Sequence, residues 1–330
     1  MDSMPRYLLF LSLLCALGAF AAEPVLILDG RNNHDWQRTS SALKATLEGA
    51  GLFTVSVATA PEDKAGEPPQ RPKVEDAAYL EAKAKHAELV KSLKPDLDAR
   101  WEKWSVDFAK HKAVVLNYNG TDWPKPMQQA FVDYVRNSGG VVLIHAANNG
   151  FSNWPEFNAM IGLGWRKGGF GRCLIINNDG SVGECCAGDS SAHGSKHAFV
   201  VTHRQPAHPI LAGLPTEWLH DRDELYHHMR GPAENVTILA SAFSEEKERG
   251  TGRHEPVLWE VPYGKGRVIV CTLGHVWRRD VDQAALDCAG FQTLLKRCVE
   301  YAATGKVTQP VPAEFPSKTA ILSIPVPSSK

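Results

Sequence analysis

Three segments of this 330-residue chain place a histidine where a short apolar run gives way to a polar loop. Asp29-Gly30-Arg31-Asn32-Asn33-His34-Asp35-Trp36 follows the run that starts at Pro24. His145-Ala146-Ala147-Asn148-Asn149 follows the run from Gly140, and Thr272-Leu273-Gly274-His275-Val276-Trp277 follows the run from Arg267. A neutral imidazole takes or gives a proton near neutral pH and is the commonest metal ligand, so three brought together could do acid–base work or hold a divalent cation. One such histidine is ordinarily a hydrogen-bonded structural residue; three at equivalent strand ends point to a site. Asp223-Glu224-Leu225-Tyr226-His227-His228 adds carboxylates, a phenol and two imidazoles in one stretch. His193 and His197 are spaced i and i+4, which on a helix would share a face and could bind metal. Gly194 between them makes a loop an equal reading. His203 and His208-Pro209 read as turn-shaping residues.

The elements that must position these groups follow from apolar periodicity. Residues 24–29 form a short buried run, 39–51 a helix stopped by Gly49 and Gly51, and 53–58 a second run. A strand, helix, strand opening predicts a crossover and a mostly parallel sheet. Residues 61–104 break the rhythm: a proline-rich start, then a charged helical stretch over 74–93, read as a surface excursion rather than a lid. Alternation resumes with strands at 113–118 and 140–145, helices at 125–137 and 154–161, and strands at 198–202, 236–240, 256–259 and 267–272. A single helix over 283–304 closes the α/β domain, residues 23–305, and the Pro-rich tail 306–330 is expected to be extended or disordered. Ligands of open α/β sheets bind outside the carboxyl ends of the strands, where the three histidines fall.

Composition narrows the function. With 36 basic and 37 acidic side chains the net charge is −1, and no clustered basic face suggests nucleic acid. Residues 1–22 carry Arg6, an apolar stretch to Phe20 and small residues at Ala19 and Ala21, the pattern of a signal peptide cleaved near Ala21 or Ala22. That predicts a periplasmic or secreted protein without a membrane span after cleavage. In an oxidising compartment Cys173, Cys185 and Cys186 are close enough for one local bridge, with its pairing open, while Cys271 reads as a buried free thiol. Cys288 and Cys298 lie too far apart on the predicted closing helix to pair. The Asp29–Asn33 loop lacks the glycine spacing of a dinucleotide site, so no nucleotide cofactor is expected.

The segments Gly139–Asn148, Trp154–Phe157, His193–His197, His208–Pro215, Asp223–Tyr226, Glu255–Trp259 and Tyr263–His275, in that order, resemble the ThuA-like (trehalose-utilisation) family over about residues 24–304. The resemblance implies the class I glutamine amidotransferase-like fold, a flavodoxin-like three-layer arrangement. Amidotransferases carry a nucleophilic Cys at a sharp strand-to-helix turn; the comparable Ile144-His145-Ala146-Ala147 offers neither Cys nor Ser, which disfavours thioester or serine-hydrolase chemistry. The family implies carbohydrate chemistry alongside a sugar oxidoreductase. The expected substrate is a glycoside or its 3-keto derivative, cleaved by elimination or hydrolysis; the alternative is a non-catalytic sugar-binding protein of the cell envelope. On this reading His145 or His34 is the base, and Glu224 or His275 is the acid or orienting group. Asn33 and Asn148 read hydroxyls, Trp36 or Trp154 stacks on the ring, and Tyr226 and Trp277 complete the sugar site. Some of His34, His145, Glu224 and His275 would hold a zinc or manganese ion, with His193 and His197 as a weaker set.

Overall fold

The computed structural model describes residues 22–62, 64–66, 68–177, 179–184 and 188–327, so residues 1–21 of the expected leader and Cys185 and Cys186 lie outside the described residues. The first apolar run becomes β1 (Glu23–Asp29), and its alternate side chains feed two different cores: Val25 and Ile27 one, Leu26 and Leu28 the other. Helix α1 (Trp36–Glu48) and β2 (Phe53–Thr59) follow. The excursion forms the long helix α2 (Ala77–Lys103). Then come β3 (Ala113–Leu116), α3 (Lys125–Arg136), β4 (Gly140–Ile144) and α4 (Pro155–Ile161). The remainder is strand-rich: β5 (Arg172–Ile176), β6 (Val182–Glu184), the two-residue β7 (Ala192–His193), β8 (His197–His203) and β9 (Glu217–Asp223). The short β10 (Tyr226–His227) and β11 (Arg230–Gly231) precede β12 (Thr237–Ser244), β13 (Arg253–Tyr263) and β14 (Gly266–Cys271). Helices α5 (Ala284–Asp287) and α6 (Ala289–Thr304) close the α/β body.

The main sheet runs in the order β2-β1-β3-β4-β14-β13-β12-β8-β9. Its first five strands pair in parallel, in a flavodoxin-like order, and from β14 onward each neighbour is antiparallel. The sheet is therefore mixed, with the expected parallel half and an antiparallel extension. Leu43 and Leu47 of α1 and Phe291, Leu294 and Val299 of α6 cover one face. Phe131 and Val135 of α3 and Phe157 and Ile161 of α4 cover the other. These are the three layers.

Several boundaries differ from the sequence reading for identifiable reasons. Helix α1 starts three residues earlier than Thr39, because the Asp35 side chain caps it by accepting the Arg38 N–H at 3.2 Å. The predicted closing helix is broken at Cys288, whose ψ of 119° is extended and whose backbone bridges Ser323. The tail is extended and tied down: the Leu219 N–H donates to Ser317 O at 2.8 Å, Ala289 N–H to Leu322 O at 2.9 Å and Ile324 N–H to Asp287 O at 2.7 Å. Cys173 is disulfide-bonded, and Cys271, Cys288 and Cys298 are free and buried. Among the described residues no helix is long and apolar enough to cross a membrane.

Candidate functional site

Strands β1, β4 and β14 run parallel in one half of the sheet, so their carboxyl ends open on the same edge and their loops deliver His34, His145 and His275 together. The His34 ring centroid lies 4.8 Å from that of His145 and 5.1 Å from that of His275, and the latter two are 5.4 Å apart. Two glycines make the turns tight enough. Gly30 sits at φ +127°, where a Cβ would come within 2.9 Å of the Ala60 carbonyl oxygen. Gly274 sits at φ +108°, with a Cβ 3.1 Å from the Phe291 ring. His145 itself adopts φ +45°, a left-handed conformation that strains a non-glycine residue, at the turn compared above with the nucleophile turn of amidotransferases. The antiparallel half supplies Glu224, directly after β9, and the separate two-stranded β10-β7 sheet supplies His193, on β7.

Four imidazoles surround the Glu224 carboxylate. Oε2 lies 3.8 Å from Nε2 of His34 and 3.8 Å from Nε2 of His145; Oε1 lies 3.3 Å from Nε2 of His275 and 3.6 Å from Nε2 of His193. The Nδ1 atoms of His34, His145 and His193 are tied back. Nδ1 of His145 is 2.6 Å from Thr272 O and Nδ1 of His193 is 2.8 Å from Gly194 O. Carbonyl oxygens only accept, so both Nδ1 atoms carry the proton and Nε2 faces inward. Nδ1 of His34 meets Asn32 Oδ1 at 3.3 Å, and that amide is oriented by accepting the His34 N–H at 3.0 Å while its Nδ2 donates to Asn117 Oδ1 at 3.2 Å. Nδ1 of His275 faces Asp280 Oδ2 at 3.9 Å. A backbone or side-chain acceptor behind each imidazole is how metal-binding histidines are oriented. Among the described residues Nε2 of His34 and both ring nitrogens of His275 are buried without a hydrogen-bond partner. His34, His145 and Glu224 bring ligand atoms within 4.8 Å of one another, a nitrogen and oxygen set suited to zinc or manganese. The Tyr226 hydroxyl shares a 2.9 Å hydrogen bond with His145 Nε2.

Burial and mutual charge set the protonation. Burial pushes His34 and His275 down to about 4, so both are neutral at pH 7 and present lone pairs. Burial opposes charging His145 too, but the nearby Glu224 carboxylate and the Asp223 charge outweigh it and hold its pKa above the usual value. Burial would raise Glu224; the close approach of His145 and His34 and the charge of the surrounding imidazoles instead hold it far below the carboxylate range. Behind it, the fully buried Asp223 accepts four donors: Gly274 N–H at 2.8 Å, His275 N–H at 3.3 Å, Glu224 N–H at 2.6 Å and His220 Nε2 at 2.8 Å. That carboxylate fastens the β14 loop to β9 and so sets His275 against Glu224.

The other expected site residues divide. Trp277 stacks on His34 with centroids 4.3 Å apart, donates its indole N–H to Glu224 Oε1 at 3.2 Å, and is 39 % exposed, so it and the one-third-exposed His193 form the rim. Asn33 and Trp36 line an adjoining cleft of about 480 Å³ together with Arg31, Asn119 and Arg278. Tyr226 is in the cluster. Asn148 is fully buried on the turn after β4, with neither side-chain atom hydrogen-bonded among the described residues. Trp154 does not belong to a sugar platform: it is 2 % exposed and packs 5.4 Å from Phe151 and 5.6 Å from Phe157 in an aromatic core. His197 is not brought in either, its Nδ1 spent on Ser195 O at 2.7 Å. The helical reading of that pair fails because His193 and His197 lie on separate strands, β7 and β8, joined by a loop through Gly194.

Sequence reasoning gave Asp223, Asn32 and Arg166 no role. Arg166 is buried and donates to the carbonyls of Asn148, Asn149 and Gly150 at 3.0, 3.2 and 2.9 Å, pinning the turn that carries His145. Only the adjacency of Asp223 to Glu224 could have flagged any of them; the Arg166 contacts need two loops to meet in space.

These features define a class: a flavodoxin-like α/β protein whose strand-end site is built from imidazoles and a carboxylate, without a Cys or Ser at the β4 turn. The family model described as trehalose utilisation (ThuA) matches residues 77–302, and the chain belongs to that family. It is similar to a putative ThuA-like protein from Parabacteroides merdae ATCC 43184, at 37 % identity over 92 % of this chain and 97 % of that one, with a TM-score of 0.77. A putative ThuA-like protein from Bacteroides uniformis ATCC 8492 shares the fold at 17 % identity, covering 88 % of this chain and 95 % of that one, with a TM-score of 0.50. No curated protein matches the sequence. Family membership ties the chain to a carbohydrate-related role.

Proposed function

We propose that this protein is an exported lyase that cleaves the glycosidic bond of 3-keto-glycosides by elimination. The observation that carries this reading is the set of four imidazoles aimed at one buried carboxylate, a density of proton-transfer and metal-binding groups that sugar binding alone does not require. Oxidation at C3 by a partner sugar oxidoreductase makes the C2 proton acidic. A base removes that proton, the C2–H electrons form the C1=C2 double bond, the C1–O bond breaks, and the departing alcohol takes a proton. His193 is assigned as the base. It is one-third exposed, and its Nδ1 is held by a carbonyl so that Nε2 is free to accept. The imidazolium so formed returns the proton to the leaving oxygen. His145, expected above as a base, is less suited, being buried with Nε2 shared by Tyr226.

His34, His145 and Glu224, with His275 beside them, fit a zinc or manganese ion: the Nε2 atoms face the carboxylate, that of His34 without another partner and that of His145 beside the Tyr226 hydroxyl, and the Nδ1 atoms of His34 and His145 each have an acceptor behind them. When bound, such an ion would polarise the C3 ketone. Trp277 shields the cluster and offers its face to a ring. The disulfide at Cys173 supports an oxidising compartment, in keeping with export.

The test is incubation of the metal-loaded protein with 3-keto-trehalose, following glucose release and the ultraviolet absorbance of the enone. Release of both in equal amounts, lost in His193→Ala, is expected. Binding of the sugar without product would overturn the lyase reading in favour of a sugar-binding protein.

A further inference from the structure

The cleft beside the histidine cluster is walled on one side by the excursion. Its body side is built from strand-end residues Arg31, Asn33, Trp36, Asn119 and Arg278; its outer side comes from Glu62, Gly66 and Pro68, which precede α2. The excursion is fastened at this point. Arg100 of α2 donates to Glu62 O at 2.7 Å, and Arg279 donates to Gln70 Oε1 at 2.7 Å, tying the wall both to its own helix and to the β14 loop. The cleft abuts the chemistry: Asn33 precedes His34, and Arg278 follows Trp277, the indole stacked on His34, while also donating to Asn32 O at 3.0 Å. At about 480 Å³ it falls in the size range of small-molecule sites. Its lining mixes amides, two guanidinium groups, one carboxylate and an indole, which suits an uncharged polyhydroxylated ring that donates and accepts at every carbon.

We propose that this cleft seats the second sugar ring of the substrate, the unit that leaves, so that the protein selects disaccharides over glycosides with small leaving groups, and that the wall residues Glu62, Gly66 and Pro68 determine that selection. The inference rests on the proposed site chemistry for the position of the scissile bond, but its test reads binding, not turnover. The His193→Ala protein is titrated calorimetrically with 3-keto-trehalose and with methyl 3-keto-α-glucoside. The disaccharide is expected to bind at least about tenfold tighter, a difference near 1.4 kcal/mol. Gln37→Trp, which fills the cleft from the exposed face of α1, is expected to abolish most of that preference. Glu62→Ala, which removes the wall's carboxylate, is a second variant that does not crowd the helix. Equal affinity for the two sugars, no binding of either, or a preference untouched in both variants overturns the cleft assignment. A preserved preference without turnover in the wild-type protein would instead sink the lyase reading and leave the cleft standing.

Discussion

The histidine cluster and helix α2 are both dense in ionisable side chains, yet they sit in opposite environments. Along α2 the charges pair at i and i+4, Lys85 with Glu81 and Lys94 with Asp98 at 2.6 Å each, with every one of these side chains more than half exposed, and the helix buries none of its described residues. Such pairs are screened by water and contribute little. In the cluster, Glu224 and three of its imidazoles are at most 6 % exposed. Charge held there is expensive unless every partner is placed, so its persistence points to chemistry rather than solubility. Residue types alone do not separate the two regions; burial does.

The contrast can be broken most forcefully at its centre. Glu224→Gln keeps the shape but removes the charge that four imidazoles face, and is expected to lower bound metal to background and kcat/KM by on the order of a thousandfold. Metal content and turnover measured on the same preparation check this; retention of both would deny the cluster its role. Trp154→Ala separates core from site. It is expected to destabilise the fold by roughly 3–5 kcal/mol in denaturant unfolding, by opening a cavity among Phe151, Phe157 and Trp123, while KM for the sugar stays unchanged. A raised KM with little loss of stability would restore it as a sugar contact.

Glu255 offers a buried charge outside the cluster. Burial pushes its carboxyl up to about 7, against the Thr251 hydroxyl at 2.8 Å, the His228 N–H at 3.2 Å and the Arg253 charge, which pull it down. Its folded pKa exceeds the unfolded value of 4.5, so its stabilising contribution is complete below that value and is lost as pH rises through about 7. Between about pH 5 and pH 8.5 the wild-type protein should therefore lose up to about 3 kcal/mol more stability than Glu255→Gln, as read from unfolding curves. Parallel pH curves for the two proteins would refute it. The smallest effect is expected on α2: Lys94→Ala should shift unfolding by no more than about 0.5 kcal/mol and leave activity unchanged.

Much of the framework was legible because buried parallel strands read as uninterrupted apolar runs, and the three loop histidines follow the ends of such runs. Six strands, β5, β6, β7, β9, β10 and β11, were not. In β9 the inward-facing positions include His220 and Asp223, polar residues that pair with each other and break the hydrophobic alternation. In the glycine-rich stretch after Trp165, β5 is short and borders loops whose sequence suggests no period. Cys288 gave no local signal of a helix break, because the extended tail meets its backbone from far along the chain, at Ser323. Trp154 followed by a proline at a helix start looks the same whether the indole faces solvent or a core. The site's supporting contacts, Asp223 to the β14 loop and Arg166 to the β4 turn, depend on segments dozens of residues apart, and spacing cannot reveal them.

The most direct test is anomalous diffraction from crystals of the protein grown with zinc or manganese. A peak bonded to Nε2 of His34, Nε2 of His145 and the Glu224 carboxylate is expected. An empty cluster at saturating metal, together with turnover that chelators leave intact, would contradict it.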